Sequence, residues 1–180
     1  MGKVWAHKPM AYNKLQVLIS PNKHPFNKHK GLTMDNSLKL LSISVALKKD
    51  GMNSDYLATH HEYINGITQG EKRSVMVTFG LYALTGVPVG MYASVTPRGE
   101  EFPLNKTQNT DSFYTTLKSH PLDDGMGVFL ITLEVKDVPF ETSGLYEVNV
   151  RAFPSGSVPS KDNEIDSIQS FFFALTSKEK

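Results

Sequence analysis

The stretch ETSGLYEVNVRAF, residues 141–153, joins a short polar segment to a strand pattern. After Gly144 every second residue is apolar, and this stripe runs through Tyr146, Val148 and Val150. Successive side chains of a strand point to opposite faces, so the alternation predicts a strand with one buried face and one polar face. The tyrosine therefore lies on the buried side of the predicted strand.

Similar alternation recurs along most of the chain. It predicts further strands near residues 14–20, 40–49, 75–81, 128–136 and 168–175. Residues 40–49 would also suit a short helix, but their serine and β-branched residues favour a strand. Residues 90–102 are predicted to form two strands around a Pro97-Arg98-Gly99 turn, and Asn65-Gly66 is a further turn signal. About eight short strands without a long helix predict an all-β, antiparallel β-sandwich.

Two stretches of the second half differ from this simple alternation. Residues 103–125 are polar and turn-rich, which predicts a long surface loop with at most a short strand or helical turn at 113–117. The final predicted strand is apolar on both sides, with Phe172 on one and Phe171 and Phe173 on the other. We interpret it as an edge or hinge between two packing surfaces, or as an exposed edge for a partner. Phe171 and Phe173 are accordingly candidate partner-binding residues.

The segment FETSGLYEVNV resembles the corner before the penultimate strand of immunoglobulin-like sandwiches. The resemblance implies that Gly144 lets the chain turn between sheets. It also implies that the Tyr146 ring enters the core and that its hydroxyl bonds to backbone near residues 140–142. VTPRGEEF is similarly like the strand, turn and strand of many bacterial immunoglobulin-like modules.

The resemblance covers about residues 75–175 and concerns architecture alone. The chain has no cysteine, and its single tryptophan, Trp5, stands too early for the core tryptophan of antibody domains. The prediction is therefore a broader immunoglobulin-like sandwich, with a jelly roll as the alternative. Both architectures host many unrelated functions, so no activity follows from the resemblance.

Composition places the chain among soluble globular proteins, with 180 residues, 39% apolar residues and 21% charged residues. We predict a basic N-terminal arm over residues 1–34, which includes a candidate first strand, followed by one sandwich domain over residues 35–180. No stretch has the length of a signal-peptide core or of a transmembrane helix, which predicts a cytoplasmic protein without membrane insertion.

Charge is distributed unevenly between the arm and the rest of the chain. Six of the 19 Lys and Arg residues and none of the 18 acidic residues lie in residues 1–34, so the arm carries +6; the remaining 13 basic and 18 acidic residues give −5. The arm could dock on an acidic face of its own domain or of a sister chain, or bind an external anion. We favour docking, because nucleic-acid arms are usually richer in arginine and this arm has none.

Within the arm, NKHPFNKHKG (22–31) interleaves lysines with an aromatic ring, a combination that can bind nucleic acid by charge and stacking. The candidate partner-binding residues of this segment are Lys23, Phe26, Lys28 and Lys30. We favour a solvated or self-docked loop over a nucleic-acid site here.

Candidate catalytic and metal-binding groups are few. His60, His61 and Glu62 could form a metal site only with a further ligand such as His120 or Asp124, and a solvated loop is favoured. The carboxylate pairs Asp123-Asp124 and Glu100-Glu101 adjoin turn glycines, which favours solvated turn charges. Serine-nucleophile and phosphate-binding glycine motifs are absent from the sequence. No catalytic residue, metal site or cofactor is predicted.

These observations favour a non-catalytic protein-interaction or assembly module. Self-association, with the arm of one chain on the acidic body of the next, is its most economical form. One alternative is an enzyme or metal-dependent binder whose polar groups converge only in three dimensions. The other alternative is nucleic-acid or anion binding through the basic arm.

Overall fold

A computed structural model describes residues 38–52, 63–100, 115–122 and 125–178. The described chain is all-β, as predicted, and its single helical element is a short 3-10 turn at Lys161–Asn163. The strands are β1 (Leu38–Leu47), β2 (Tyr63–Thr68), β3 (Glu71–Leu84), β4 (Val89–Pro97), β5 (Thr115–Pro121), β6 (Met126–Phe140), β7 (Gly144–Pro154) and β8 (Asp166–Ser177). The predicted arm, including the strand at 14–20, lies outside the described residues.

The strands form two four-stranded sheets. One has the order β1-β3-β6-β5 and the other the order β2-β8-β7-β4. Neighbouring strands are antiparallel except β2 and β8, which run parallel. The apolar faces of both sheets contribute to one continuous core. At one side of this core the backbone N–H of Leu40 donates to Asp166 Oδ2 over 2.8 Å, which ties β1 to the start of β8.

The alternation in the second half of the chain predicted the buried faces of the strands correctly. Phe129, Ile131, Leu133 and Val135 of β6 are buried, as are Tyr146, Val148, Val150 and Ala152 of β7. These side chains form the core together with the odd-numbered apolar residues of β3 between Val75 and Ala83. Each of these strands has one face in the core, which is why a period of two residues is visible in its sequence.

Strand β1 is not a simple alternation of buried and exposed residues. The alternative of a helix at 40–49 is wrong, because these residues form β1 and the turn after it. Simple alternation would place Leu41 on the buried face together with Ile43, and the structure does not. Leu41 is 49% exposed, whereas Leu40 is buried. The pairing of β1 with β3 shifts between Leu40 and Ile43, and such a bulge reverses which side chains face the core.

The Asn65-Gly66 pair was predicted to form a turn, and this prediction is wrong. Both residues lie within β2, where the pairing with β8 shifts between Ile64 and Ile67. Gly66 has φ of +76°, so its positive φ serves a bulge and not a hairpin loop. Ile64 and Ile67 are both buried as a result.

The connections of the chain agree in part with the sequence. The predicted turn at Pro97-Arg98-Gly99 is present: the N–H of Glu100 donates to the Pro97 carbonyl over 3.1 Å, and Gly99 has φ of +89°. The strand predicted after it lies outside the described residues. Within the predicted loop 103–125, strand β5 pairs with β6 from Thr115 to Pro121, so the strand element is longer than expected.

Gly127 in β6 allows a close approach of neighbouring side chains. A Cβ at this position would lie 2.7 Å from the Phe129 ring and 3.1 Å from Thr85 Cγ2. Phe129 is buried, so its ring cannot simply turn into solvent. We expect Gly127→Ala to lower the free energy of unfolding by about 1–3 kcal/mol, the usual range for overpacking, in urea denaturation.

The matched control is Gly144→Ala. Nothing lies within 4 Å of a Cβ at Gly144, and its φ is not positive. The substitution should therefore be neutral or raise stability by up to about 1 kcal/mol through the unfolded chain. Equal losses for the two substitutions would contradict the packing described at Gly127.

Candidate interaction surface

Strand β8 has neighbours on both sides. It pairs with β2 on one side and β7 on the other, so the prediction of an edge strand is wrong. Its apolar residues instead divide between the two faces of the sheet. Phe172 and Ala174 are buried in the core, while Phe171 and Phe173 are each 41% exposed and Leu175 is 45% exposed on the opposite, outer face.

Residues of the adjacent strands extend this exposed apolar surface. Phe173 stands opposite Tyr63 of β2 and opposite Leu145 of β7. Tyr63 is 59% exposed and Leu145 is half-buried. We call Tyr63, Leu145, Phe171, Phe173 and Leu175 the outer apolar strip. The strip crosses strands β2, β7 and β8, although Tyr63 and Phe173 are more than 100 residues apart in the sequence.

Charged groups of both signs border the outer apolar strip. The guanidinium carbon of Arg98 lies 6.0 Å from the centre of the Phe171 ring, at the outer limit of a cation–π contact. Glu147 stands opposite Phe171 in the pairing of β7 with β8. Further along β7, Arg151 Nη1 lies 3.6 Å from Glu164 Oε2. The strip is therefore apolar at its centre and charged at its margin.

Beneath the strip, an aromatic cluster holds β7 and β8 together. Tyr146 is buried, and its ring lies 4.9 Å from the Phe140 ring and 5.6 Å from the Phe172 ring between centroids. Phe172 is the residue between the two exposed phenylalanines. By fixing Phe172 in the core, the cluster directs Phe171 and Phe173 outward, because neighbours in a strand point to opposite faces.

The Tyr146 hydroxyl bonds to the backbone that precedes it. It donates to the carbonyl of Pro139 over 3.3 Å, or to that of Thr142 over 3.5 Å, and both distances are long for such bonds. Burial raises the pKa of the Tyr146 hydroxyl, and the charges of Glu141 and Glu100 raise it further. Gly144 begins β7 without a positive φ, so the backbone gives no conformational reason for a glycine there.

Several candidate residues from the sequence lie outside the described residues. These are Lys23, Phe26, Lys28, Lys30, His60, His61, Glu62, Asp123 and Asp124. His120 is exposed near the end of β5. In the part of the chain that the structure describes, no group of three His, Asp or Glu residues could hold a metal ion. Within the same residues, no helix has the length and apolar character to cross a membrane.

The structure brings together Phe171 and Phe173, which the sequence singled out, with Tyr63 and Leu145, which it did not. Tyr63 was missed because residues 51–70 show no regular alternation, and the bulge at Gly66 explains why. Leu145 was missed because it belongs to the predicted polar face of β7. No protein-family model matches the sequence, and no curated protein matches it.

Proposed function

We propose that this chain is a non-catalytic protein-interaction module with an immunoglobulin-like sandwich fold. In this proposal it associates with a second copy of itself through the outer apolar strip. The observation that carries the proposal is the exposure of Phe171, Phe173, Leu175 and Tyr63 on one continuous face.

Strand order supports the immunoglobulin-like part of the proposal. Constant-type immunoglobulin domains place their first, second, fifth and fourth strands in one sheet and their third, sixth and seventh strands in the other. If β2 is set aside as an additional strand beside β8, the sheets β1-β3-β6-β5 and β8-β7-β4 follow the same order. Tyr146 then occupies the start of the sixth strand, where the tyrosine corner of that family lies.

Exposure of the strip supports an interaction role. Scattered surface leucines and phenylalanines are ordinary, but a contiguous apolar patch with a polar margin is typical of a protein-binding surface. Aromatic side chains are enriched at the centres of such surfaces, with arginine near them. The outer apolar strip has three aromatic residues, and Arg98 lies beside one of them.

The margin of the strip supports a second copy as the partner. A two-fold interface needs a surface that is complementary to itself, since each residue of one copy meets the same patch on the other. Arg98 and Glu147 flank Phe171 with opposite charges. A patch with a positive and a negative charge at its border can pair the cation of one copy with the carboxylate of the other across a two-fold axis.

Net charge adds a second attraction between copies. Residues 1–34 carry +6 while the rest of the chain carries −5, from 13 basic and 18 acidic residues. In an assembly the arm of one chain therefore meets a body of opposite charge, which increases the rate of association at low salt. The contribution of the arm should fall as salt rises, whereas the contribution of the apolar strip should not.

The proposal is tested by the double substitution Phe171→Ser with Phe173→Ser, studied by sedimentation equilibrium. A two-fold dimer would lose four phenylalanine side chains, each worth about 1 kcal/mol for the exposed part that it buries. We expect the dimer dissociation constant to rise by about a hundredfold or more. The isolated chain should remain folded, because neither ring belongs to the core.

Leu41→Ser is the matched control. Leu41 is 49% exposed, which is similar to the two phenylalanines, but it lies on the other sheet. We expect this substitution to leave the dissociation constant unchanged. If it weakens association as much as the double substitution does, the interface lies elsewhere and the proposal is wrong.

A further inference from the structure

The sequence contains a single Asn-Gly pair, and this pair lies in β2 as Asn65-Gly66. Both residues are exposed, although Ile64 and Ile67 on either side of them are buried. In such a pair the backbone nitrogen of the glycine can attack the side-chain amide of the asparagine, because glycine has no Cβ to hinder the approach. The pair is therefore a candidate site of spontaneous chemical modification.

The bulge in β2 leaves this pair less constrained than the rest of the sheet. In the register with β8, the two residues between Ile64 and Ile67 face a single residue, Leu175. A bulge of this kind leaves one residue without a partner in the ladder. Gly66 has φ of +76°, and nothing lies within 4 Å of a Cβ built on it. Since neither residue of the pair belongs to the core, the peptide between them can rotate while the core stays closed.

We propose that Asn65 is a site of spontaneous deamidation, and that the carboxylate formed there weakens self-association through the outer apolar strip; this second part rests on the proposed function. The Gly66 nitrogen bonds to Cγ of Asn65, and the bond from Cγ to the side-chain nitrogen breaks. The proton of the Gly66 nitrogen passes through solvent to the departing group, which leaves as ammonia. Water then opens the cyclic imide at either carbonyl. The product is aspartate or isoaspartate, and both are negatively charged at neutral pH.

Asn65 lies on the same face of the sheet as the outer apolar strip. Tyr63 of the strip precedes it by two residues, and residues two apart in a strand share a face. Leu175, which also belongs to the strip and is 45% exposed, lies opposite the pair. A carboxylate at position 65 therefore lies within the surface that a second copy would cover. Removing this charge from water is unfavourable, so the modified chain should associate more weakly.

Asn149 in β7 provides an internal control for the reaction. It lies on the outward side of the same sheet and is half-buried. In the sheet it is paired on both sides, with Ser94 and with Gln169. Its side-chain nitrogen donates to Glu147 Oε1. The next residue, Val150, is β-branched and belongs to the core, so its backbone nitrogen is hindered and cannot readily reach the Asn149 amide.

Peptide mapping by mass spectrometry tests the chemical part of the proposal. The full chain is incubated at neutral pH and physiological temperature, and conversion of amide to acid is followed at each asparagine. We expect position 65 to be converted about tenfold or more faster than position 149. Asn65→Gln should prevent the reaction at position 65, because attack on glutamine requires a larger ring. Conversion at position 65 no faster than at position 149 would overturn the proposal.

Sedimentation equilibrium tests the effect of the charge on self-association. Asn65→Asp creates one of the two reaction products directly, and it should raise the dimer dissociation constant by about tenfold. Asn65→Gln should leave the dissociation constant unchanged. Ser42→Asp is the matched charge control, because Ser42 is exposed on β1 of the other sheet, and it should also have no effect. Positions 65 and 42 are both exposed, so these variants should remain folded.

The two measurements separate this proposal from the proposed function. If the unmodified chain is a monomer at every concentration, self-association and its control by Asn65 are both wrong, while peptide mapping alone decides whether Asn65 deamidates. If the unmodified chain dimerises and Asn65→Asp has the same dissociation constant, the proposed function stands and control by Asn65 is wrong. Rapid conversion at position 65, together with a dimer that Asn65→Asp weakens and Ser42→Asp does not, supports both parts.

Discussion

Replacing Tyr146 by alanine is expected to lower the free energy of unfolding by about 3–5 kcal/mol, the range for removal of a buried aromatic side chain. The ring packs between Phe140 and Phe172, at 4.9 and 5.6 Å between centroids. Alanine would leave a cavity where three aromatic residues from β6, β7 and β8 meet. Urea denaturation followed by circular dichroism measures the loss.

Two further substitutions distinguish the contribution of the Tyr146 ring to stability from that of its hydroxyl. They also distinguish it from the general effect of removing a tyrosine. Tyr146→Phe keeps the ring and removes only the long bonds to Pro139 or Thr142, so it should cost about 1 kcal/mol or less. Tyr63→Ala removes an exposed tyrosine and should cost little. If Tyr146→Ala cost no more than Tyr63→Ala, the aromatic cluster would not be a stabilising centre of the fold.

Removing the partner of the buried carboxylate Glu134 is the second substitution with a large expected effect. Lys48 Nζ lies 2.8 Å from Glu134 Oε2, and the Glu134 side chain is 4% exposed. Lys48→Met would leave this carboxylate buried without its ion-pair partner. We expect a loss of about 2–3 kcal/mol in urea denaturation, below the full range for buried pairs because Lys48 is partly exposed.

The double variant Lys48→Met with Glu134→Met shows whether the charge is responsible. Replacing both partners by apolar residues of similar size is often neutral, so most of the lost stability should return. Glu134→Gln alone should cost less than Lys48→Met, because it leaves no buried charge. A double variant no more stable than Lys48→Met would contradict the importance of this ion pair.

The sequence predicted the regular strands well and the irregular ones poorly. Strands β6 and β7 have one buried face, so the alternation of Ile131 with Thr132, or of Val148 with Glu147, carries enough information to orient them. The bulges in β1 and β2 do not follow from their own residues. Whether Leu40 or Leu41 faces the core depends on pairing with β3, which lies more than 30 residues away in sequence.

Only part of the candidate surface could be derived from the sequence. Alternation separates Phe172 from Phe171 and Phe173, but it does not say which strands lie beside β8. The parallel pairing with β2 brings Tyr63 opposite Phe173 across more than 100 residues of chain. Such pairing reflects the packing of the whole core, which no local pattern records.

The face opposite the core in the other sheet could not have been predicted either. Thr78 and Thr132 are polar residues at outward positions, where solvent exposure is the ordinary expectation. Their hydroxyls lie 2.8 Å apart in a buried hydrogen bond, so their polar character is satisfied without water. A buried outward face of this kind becomes visible only when burial is compared with strand register.

Self-association through the outer apolar strip is the central claim, and the solution mass of the unmodified chain tests it most directly. Light scattering is recorded from dilute to concentrated protein, at low and at high salt, with nucleic-acid absorbance measured on the same sample. We expect the mass to rise from 20.0 kDa toward twice that value with concentration, without nucleic acid, and to remain elevated at high salt. A mass that stays at 20.0 kDa at the highest concentration and the lowest salt would contradict the claim.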